Sequence, residues 1–270
     1  MPTFGSLFAG IGGLDLGLER AGWRCRWQVE LDQFCQSVLA RHWPTVARHG
    51  DVRSFPLPDT ERVDLICGGF PCQPVSVAGK RLAQQDERWM WPEYARVVRA
   101  LRPRYVLVEN VPGLLIRGFG DVLGDLAACG YDAEWDCVGA ADVGAPHRRD
   151  RVWILAYADG RGRGAFGFGR GLGQVRSGWP DEPVAPKELR AEVADAPSDG
   201  WQQGRSDARQ DLRVFGGDCV GRVTDWDVEP DVGRVAHGVP ARVDRLRSLG
   251  NAVVPQVAEW IGRRLMECLR

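Results

Sequence analysis

The sequence predicts an α/β protein built on a doubly wound, mostly parallel sheet with a smaller irregular region attached. Three observations carry this. Short apolar runs alternate with helix-periodic segments from Thr3 to Ala156. The run at 104–111 contains the continuous apolar stretch expected of a strand covered on both faces. Glycines, acids and one framed cysteine gather where the runs end, and in such sheets the carboxyl edge of the strands is the ligand edge.

In chain order, residues 3–9 read as a strand, Gly10-Ile-Gly-Gly13 as a glycine-rich turn, and Leu14, Leu16, Leu18 and Ala21 as the apolar positions of a helix. This unit opens many nucleotide-binding sheets, because glycines admit a ligand close to backbone and the helix start offers free N–H groups. Arg24 to Glu30 is a second strand, and its terminal acid stands 17 positions after Gly13. An acid there accepts hydrogen bonds from ribose hydroxyls, or is a solvated strand-end charge. A helix follows from about Asp32 to Arg41. Asp51 ends a third strand, where it suits an adenine amino group or a turn cap.

Val63 to Cys67 is the fourth strand and leads into Gly68-Gly-Phe-Pro-Cys-Gln-Pro74. Two glycines permit a sharp turn, and Pro71 and Pro74 restrict the backbone around Cys72. The pattern presents one thiol at the sheet edge, or buries a structural cysteine in a tight turn. The polar stretch from Gln73 to Arg88 has the length of a functional loop. A helix at 91–101, the strand at 104–111 ending in Glu109-Asn110, a helix at about 119–129 and strands at 131–138 and 152–156 complete this half. From Gly160 to Gly178 the chain carries eight glycines, and no long period runs through about Pro240, although Trp179, Trp201 and Trp226 favour some order. Regularity returns with a final helix entered near Pro255 and running to about Arg264, striped by Val254, Val257, Ile261 and Leu265. It completes the first domain, which is therefore discontinuous.

The bulk properties exclude several classes. At 270 residues with 44% hydrophobic and 26% charged content, the chain resembles an ordinary globular protein. No apolar run approaches the roughly 20 residues of a membrane span, and Met1-Pro-Thr-Phe-Gly-Ser lacks the features of a signal peptide, so a cytoplasmic location is expected. Eight cysteines without Cys-x-x-Cys spacing and four dispersed histidines predict no metal site and mostly reduced thiols. A net charge of −1 requires any nucleic-acid face to be local. The basic residues are nearly all arginine, with Lys80 and Lys187 the only lysines.

With Gly10–Gly13, Glu30, Asp51, Cys72 and Glu109 on one edge, the chain resembles the DNA (cytosine-5)-methyltransferase family. The matching segments are Phe8-Ala-Gly-Ile-Gly-Gly13, Gly69-Phe-Pro-Cys-Gln-Pro74, Glu109-Asn-Val111, Gly144-Ala-Pro-His-Arg-Arg-Asp-Arg151 and Gly250-Asn-Ala-Val253, in the family's order. The resemblance covers roughly 1–157 and 240–270. It implies a Rossmann-like catalytic domain (1–157 plus 240–270) and a target-recognition domain (158–239). The cofactor it implies is S-adenosylmethionine, lined by Phe8, Gly10, Gly12, Gly13, Glu30, Asp51 and Asn251. It further implies Cys72 as nucleophile at cytosine C6, Glu109 at N3 and the exocyclic amine, and Arg149 and Arg151 as the supporting basic pair. Gln73, Ser76, Lys80 and Arg81 fall in a lid closing on double-stranded DNA, whose target base must be flipped out. A monomer is expected. The sequence departs from the family at His147, commonly Gln, at Leu31, commonly aromatic, and in the segment before Gly250. A tRNA cytosine-5 methyltransferase and a catalytically inactive DNA- or cofactor-binding relative are the alternatives. An NAD-dependent oxidoreductase fits less well, since it leaves the thiol unexplained.

Overall fold

The computed structural model describes residues 1–58, 61–71, 89–145, 147–158 and 242–269. The predicted nucleophile Cys72, the lid residues Gln73, Ser76, Lys80 and Arg81, and nearly all of the predicted recognition segment lie outside these residues.

Seven strands form the frame: β1 (Thr3–Leu7), β2 (Arg24–Val29), β3 (Ala47–His49), β4 (Leu65–Gly68), β5 (Tyr105–Asn110), β6 (Tyr131–Val138) and β7 (Arg151–Ala158). They are ordered β3-β2-β1-β4-β5-β7-β6 in one sheet. The pairs β1–β2, β1–β4, β2–β3 and β4–β5 are parallel, whereas β7 runs antiparallel to both β5 and β6. The winding reverses direction between β1 and β4, so a crevice opens beyond their carboxyl ends, where ligands bind in folds of this type. The doubly wound, mostly parallel sheet expected from the sequence is present.

Strand alternation divides the core into two layers. Ile66, Val106, Val108 and Ile154 face α3 (Trp91–Leu101) and α4 (Phe119–Ala128), meeting Tyr94, Val98, Val122 and Leu126. Leu65, Cys67, Leu107 and Leu155 face α1 (Gly13–Arg20) and the terminal helix, meeting Leu14, Leu18, Ile261 and Leu265. The remaining helix of the first half, α2 (Gln33–His42), is capped by Asp32, whose carboxylate accepts from the Cys35 N–H. The free thiols of Cys25, Cys35, Cys67 and Cys129 are all buried.

Two sequence expectations change. Leu16 is 37% exposed, and α1 buries Leu14, Asp15, Gly17 and Leu18 instead. A helix flattened against a neighbour buries positions spaced by three and four, so Leu16 falls off that face. Asp15 is wholly enclosed, accepts from Ser6 Oγ at 3.0 Å and Gln28 Nε2 at 2.8 Å, and has its pKa pushed up to about 6 by burial. The C-terminal segment also forms two helices, α5 (Arg242–Asn251) and α6 (Pro255–Cys268). Pro255 supplies no N–H and holds Val254 in an extended conformation, which breaks the helix. The extra helix spaces Val243, Leu246 and Leu249 at helical intervals, but all three are exposed, and among residues 243–251 only Ser248 is buried. No helix among the described residues is long and apolar enough to cross a membrane.

Candidate active site

The first wall of the crevice is the turn after β1. Phe8, Gly10 and Gly12 all take positive φ angles (53°, 56° and 84°), and Gly12 caps α1. A left-handed backbone is nearly free for glycine, while Phe8 holds it at a steric cost; its ring lies near that of Tyr94, centroids 6.4 Å apart. The Glu30 carboxylate, just past β2, fastens this turn: Oε2 accepts from the Gly10 N–H at 2.7 Å and Oε1 from the Asp32 N–H at 2.8 Å. The Glu30 N–H donates to the His49 carbonyl, tying the ends of β2 and β3 together. A Cβ placed on Gly10 would meet nothing within 4 Å. The turn therefore borders open space, with the Glu30 carboxylate beside it.

Asp51 behaves differently. Its carboxylate caps a short 3-10 turn at Val52–Ser54 and forms an ion pair with Arg53 at 2.7 Å. The hydrogen bonds from Arg53 hold its pKa below the usual carboxylate range. Asn251 ends α5 and is exposed, and the residues that follow it reach the glycine turn. A Cβ on Gly13 would stand 2.4 Å from the Val253 carbonyl oxygen.

The second wall is the paired ends of β4 and β5. Glu109 is 8% exposed and bonded through Oε1 to Arg151 Nε at 3.0 Å. Burial raises its pKa above the ordinary carboxylate range, opposed by Arg151 and, next, by Arg149. A Cβ on Gly69 would lie 2.5 Å from Glu109 Oε2, so a side chain at 69 would push this carboxyl out of place. Asn110, 3% exposed, donates from Nδ2 to the Phe70 carbonyl at 3.1 Å and accepts from the Val111 N–H. It holds the turn that runs through Pro71 toward Cys72. In the sequence Asn110 is only a polar residue at a strand end; the signal for this role is an amide directly after an apolar run, since buried amides need partners.

Arg149 and Arg151 were expected to act as a pair, and the structure separates their contacts. Arg151 pairs with Glu109. Arg149, at a positive φ of 42°, sends Nη2 to the carbonyls of Gly250 (2.6 Å) and Ala252 (2.5 Å). His147 is exposed. Among the described residues no group of three or more His, Cys, Asp or Glu side chains is placed to hold a metal.

The family model of C-5 cytosine-specific DNA methylases matches residues 2–195. The chain belongs to the C-5 cytosine-specific DNA methylase family. Among curated proteins it is similar to the type II methyltransferase M.HgiCII of Herpetosiphon aurantiacus, 37% identical over 173 residues covering 61% of this chain and 39% of that protein. It is also similar to M.NgoMIV of Neisseria gonorrhoeae, 37% identical over 153 residues covering 55% of this chain and 49% of the relative. The chain thus aligns with half or less of the length of these two relatives. Among solved structures, a DNA modification methyltransferase encoded within an E. coli prophage superposes with a TM-score of 0.50 at 28% identity, covering 58% of this chain and 47% of that one. Spodoptera frugiperda DNMT2 shares the fold, with a TM-score of 0.51 at 22% identity over 59% of this chain and 51% of its own.

Proposed function

We propose that this chain transfers a methyl group from S-adenosylmethionine to C5 of a cytosine flipped out of double-stranded DNA. The observation that carries the reading is the buried Glu109 carboxyl, paired with Arg151 and pressed against Gly69 in the turn that leads to Cys72. Family membership and the type II methyltransferase relatives support the same substrate.

Cytosine C5 is a poor nucleophile, and adding a thiolate at C6 makes it an enamine carbon. Cys72 is the residue for that addition. An ordinary thiol, with a pKa near ~8.5, is mostly protonated at neutral pH, so attack is coupled to proton movement in the site. Glu109 is suited to the other end of the same step. Burial favours its neutral form, which donates a proton to N3 as the Cys72 sulfur–C6 bond forms and charge moves into the ring. When bound, S-adenosylmethionine supplies an electrophilic methyl group that C5 accepts. Loss of the C5 proton to solvent water then re-forms the C5–C6 double bond and expels the Cys72 thiolate, and the N3 proton returns to Glu109. Arg151 orients the Glu109 carboxyl throughout.

In this reading the Gly10–Gly13 turn and Glu30 hold the cofactor, with Phe8, Asp51 and Asn251 completing its pocket. The catalytic domain comprises 1–157 with 240–270, and 158–239 reads the DNA sequence, while Gln73, Ser76, Lys80 and Arg81 close over the flipped base. The packing of α6 on α1 and of Val253 on Gly13 supports joining the two ends of the chain.

The test is trapping. Duplex DNA carrying 5-fluorocytosine at the target should form a covalent adduct with the wild-type chain in the presence of S-adenosylmethionine, because no C5 proton remains to leave. Cys72→Ser should form none while still binding cofactor. An adduct on tRNA and not on duplex DNA would transfer the activity to RNA, and an adduct that survives Cys72→Ser would remove the nucleophile. Exchanging 158–239 for a relative's segment should change the methylated sequence; an unchanged site would refute the recognition assignment.

A further inference from the structure

One side chain that starts beside the base-side wall reaches the turn on the cofactor side. We propose that Arg149 is a positioning residue that braces the Gly250–Val253 turn against the base-side wall and so sets cofactor affinity from a position outside the cofactor pocket. The inference rests on the functional reading above and goes beyond it in assigning Arg149 to the cofactor side.

The last carbonyls of a helix have no donor within the helix. At the end of α5, Arg149 Nη2 supplies one to Gly250 and reaches past Asn251 to Ala252. A charged donor at a helix C-terminus also meets the negative end of its dipole. Both bonds span more than a hundred residues of sequence (101 and 103 positions), so they fix tertiary placement. The next residue, Val253, closes on Gly13 at the start of α1. From the other side, Arg149 stands near enough to Arg151 and Glu109 for their charges to act on it, and it is two residues from the partner of Glu109 in β7. Its left-handed backbone supports this reading, since non-glycine residues in that region are held there by surrounding structure and cluster at functional sites. Contacts therefore run from Arg149 to Gly250 and Ala252 and on through Val253 to the glycine turn, while two residues of backbone connect Arg149 to Arg151, the partner of Glu109. Losing charge-assisted bonds of this kind weakens an interaction by roughly tenfold or more.

The experiment measures S-adenosylhomocysteine binding by calorimetry without DNA, and the KM values for S-adenosylmethionine and duplex DNA, in wild type, Arg149→Met and Arg149→Lys. Arg149→Met should raise the dissociation constant and the cofactor KM about tenfold or more while the DNA KM stays within about twofold. Arg149→Lys, which keeps the charge and can reach a single carbonyl, should lie between. An unmoved cofactor constant in either variant overturns the brace, and so does a rise carried by the DNA KM alone, which would place Arg149 on the nucleic acid. If Arg149→Met does not fold, the lysine variant carries the same test, with a cofactor constant equal to wild type as the refuting result. Wild-type binding and methyl transfer are read first; their absence would refute the functional reading itself, whereas their presence with unmoved variants refutes the brace alone.

Discussion

Glu109→Gln lowers the turnover number by about 10²-fold or more, the range of a positioned proton donor, and leaves S-adenosylhomocysteine binding within about twofold. The amide fills the same space beside Gly69 and can still offer an N–H, but it has no proton to transfer to N3. It also leaves the Arg151 guanidinium without its anionic partner. The pH profile gives the finer test. Burial holds the Glu109 carboxyl above its ordinary range, and Arg151 is the larger of the two cations pulling it back. Removing that cation in Arg151→Leu must therefore move the Glu109 limb of the kcat/KM profile to higher pH, and Glu109→Gln must erase it. Turnover above about a third of wild type in Glu109→Gln, or a limb that moves down in Arg151→Leu, would refute the assignment.

Gly17→Val is expected to damage the fold severely. A Cβ at Gly17 would lie 2.3 Å from the Pro255 carbonyl oxygen, 2.6 Å from Ala258 Cβ and 2.8 Å from the Glu259 nitrogen. Two of these three are backbone atoms, which cannot rotate away. The helices α1 and α6 must separate, opening the contact where Leu14, Leu18, Val257, Ala258, Ile261 and Leu265 are each 4% exposed or less. Overpacking of this kind costs about 3 kcal/mol or somewhat more, a fall in Tm of roughly 6–12 °C for a domain of this size. The matched control is Gly124→Ala in α4, where a Cβ meets nothing within 4 Å. There the gain in helix propensity should stabilise the protein by about 0.5–1 kcal/mol. Urea unfolding of both variants provides the comparison; a Gly17→Val protein within about 1 kcal/mol of wild type would show that the close approach does not matter.

Why the sheet was readable is clear from its strands. The continuous apolar run at 104–111 and the strand at 131–138 need no partner to be recognised, because burial on both faces or a defined period writes itself into local composition. The site was legible for a related reason. Gly10–Gly13, Glu30 and Glu109 each stand next to the end of such a run, so locating the strands also located them. What was not legible came from packing at a distance. Leu16 looks like core and Asp15 looks like surface, yet Asp15 is buried against Ser6 and Gln28 of the sheet and Leu16 is left to solvent. The helix α5 spaces Val243, Leu246 and Leu249 as a helix does, yet all three stay exposed, so no core contact marks it.

The amino-acid sequence by itself determined the fold class, the strand ends that make a ligand edge, and the residue types gathered at that edge. Those features are local: a strand, a turn and the acid after it lie within a few residues of one another. Only the tertiary structure decided that β7 inserts antiparallel between β5 and β6, that Asn110 holds Phe70, and that Gly17 is where two helices touch. It also divided two arginines that the sequence treats alike, giving Arg151 to Glu109 and Arg149 to the turn at Gly250. These contacts join segments 40 to more than 100 positions apart. Which donor meets which carbonyl across that distance depends on how the layers pack, and no stretch of local sequence encodes it.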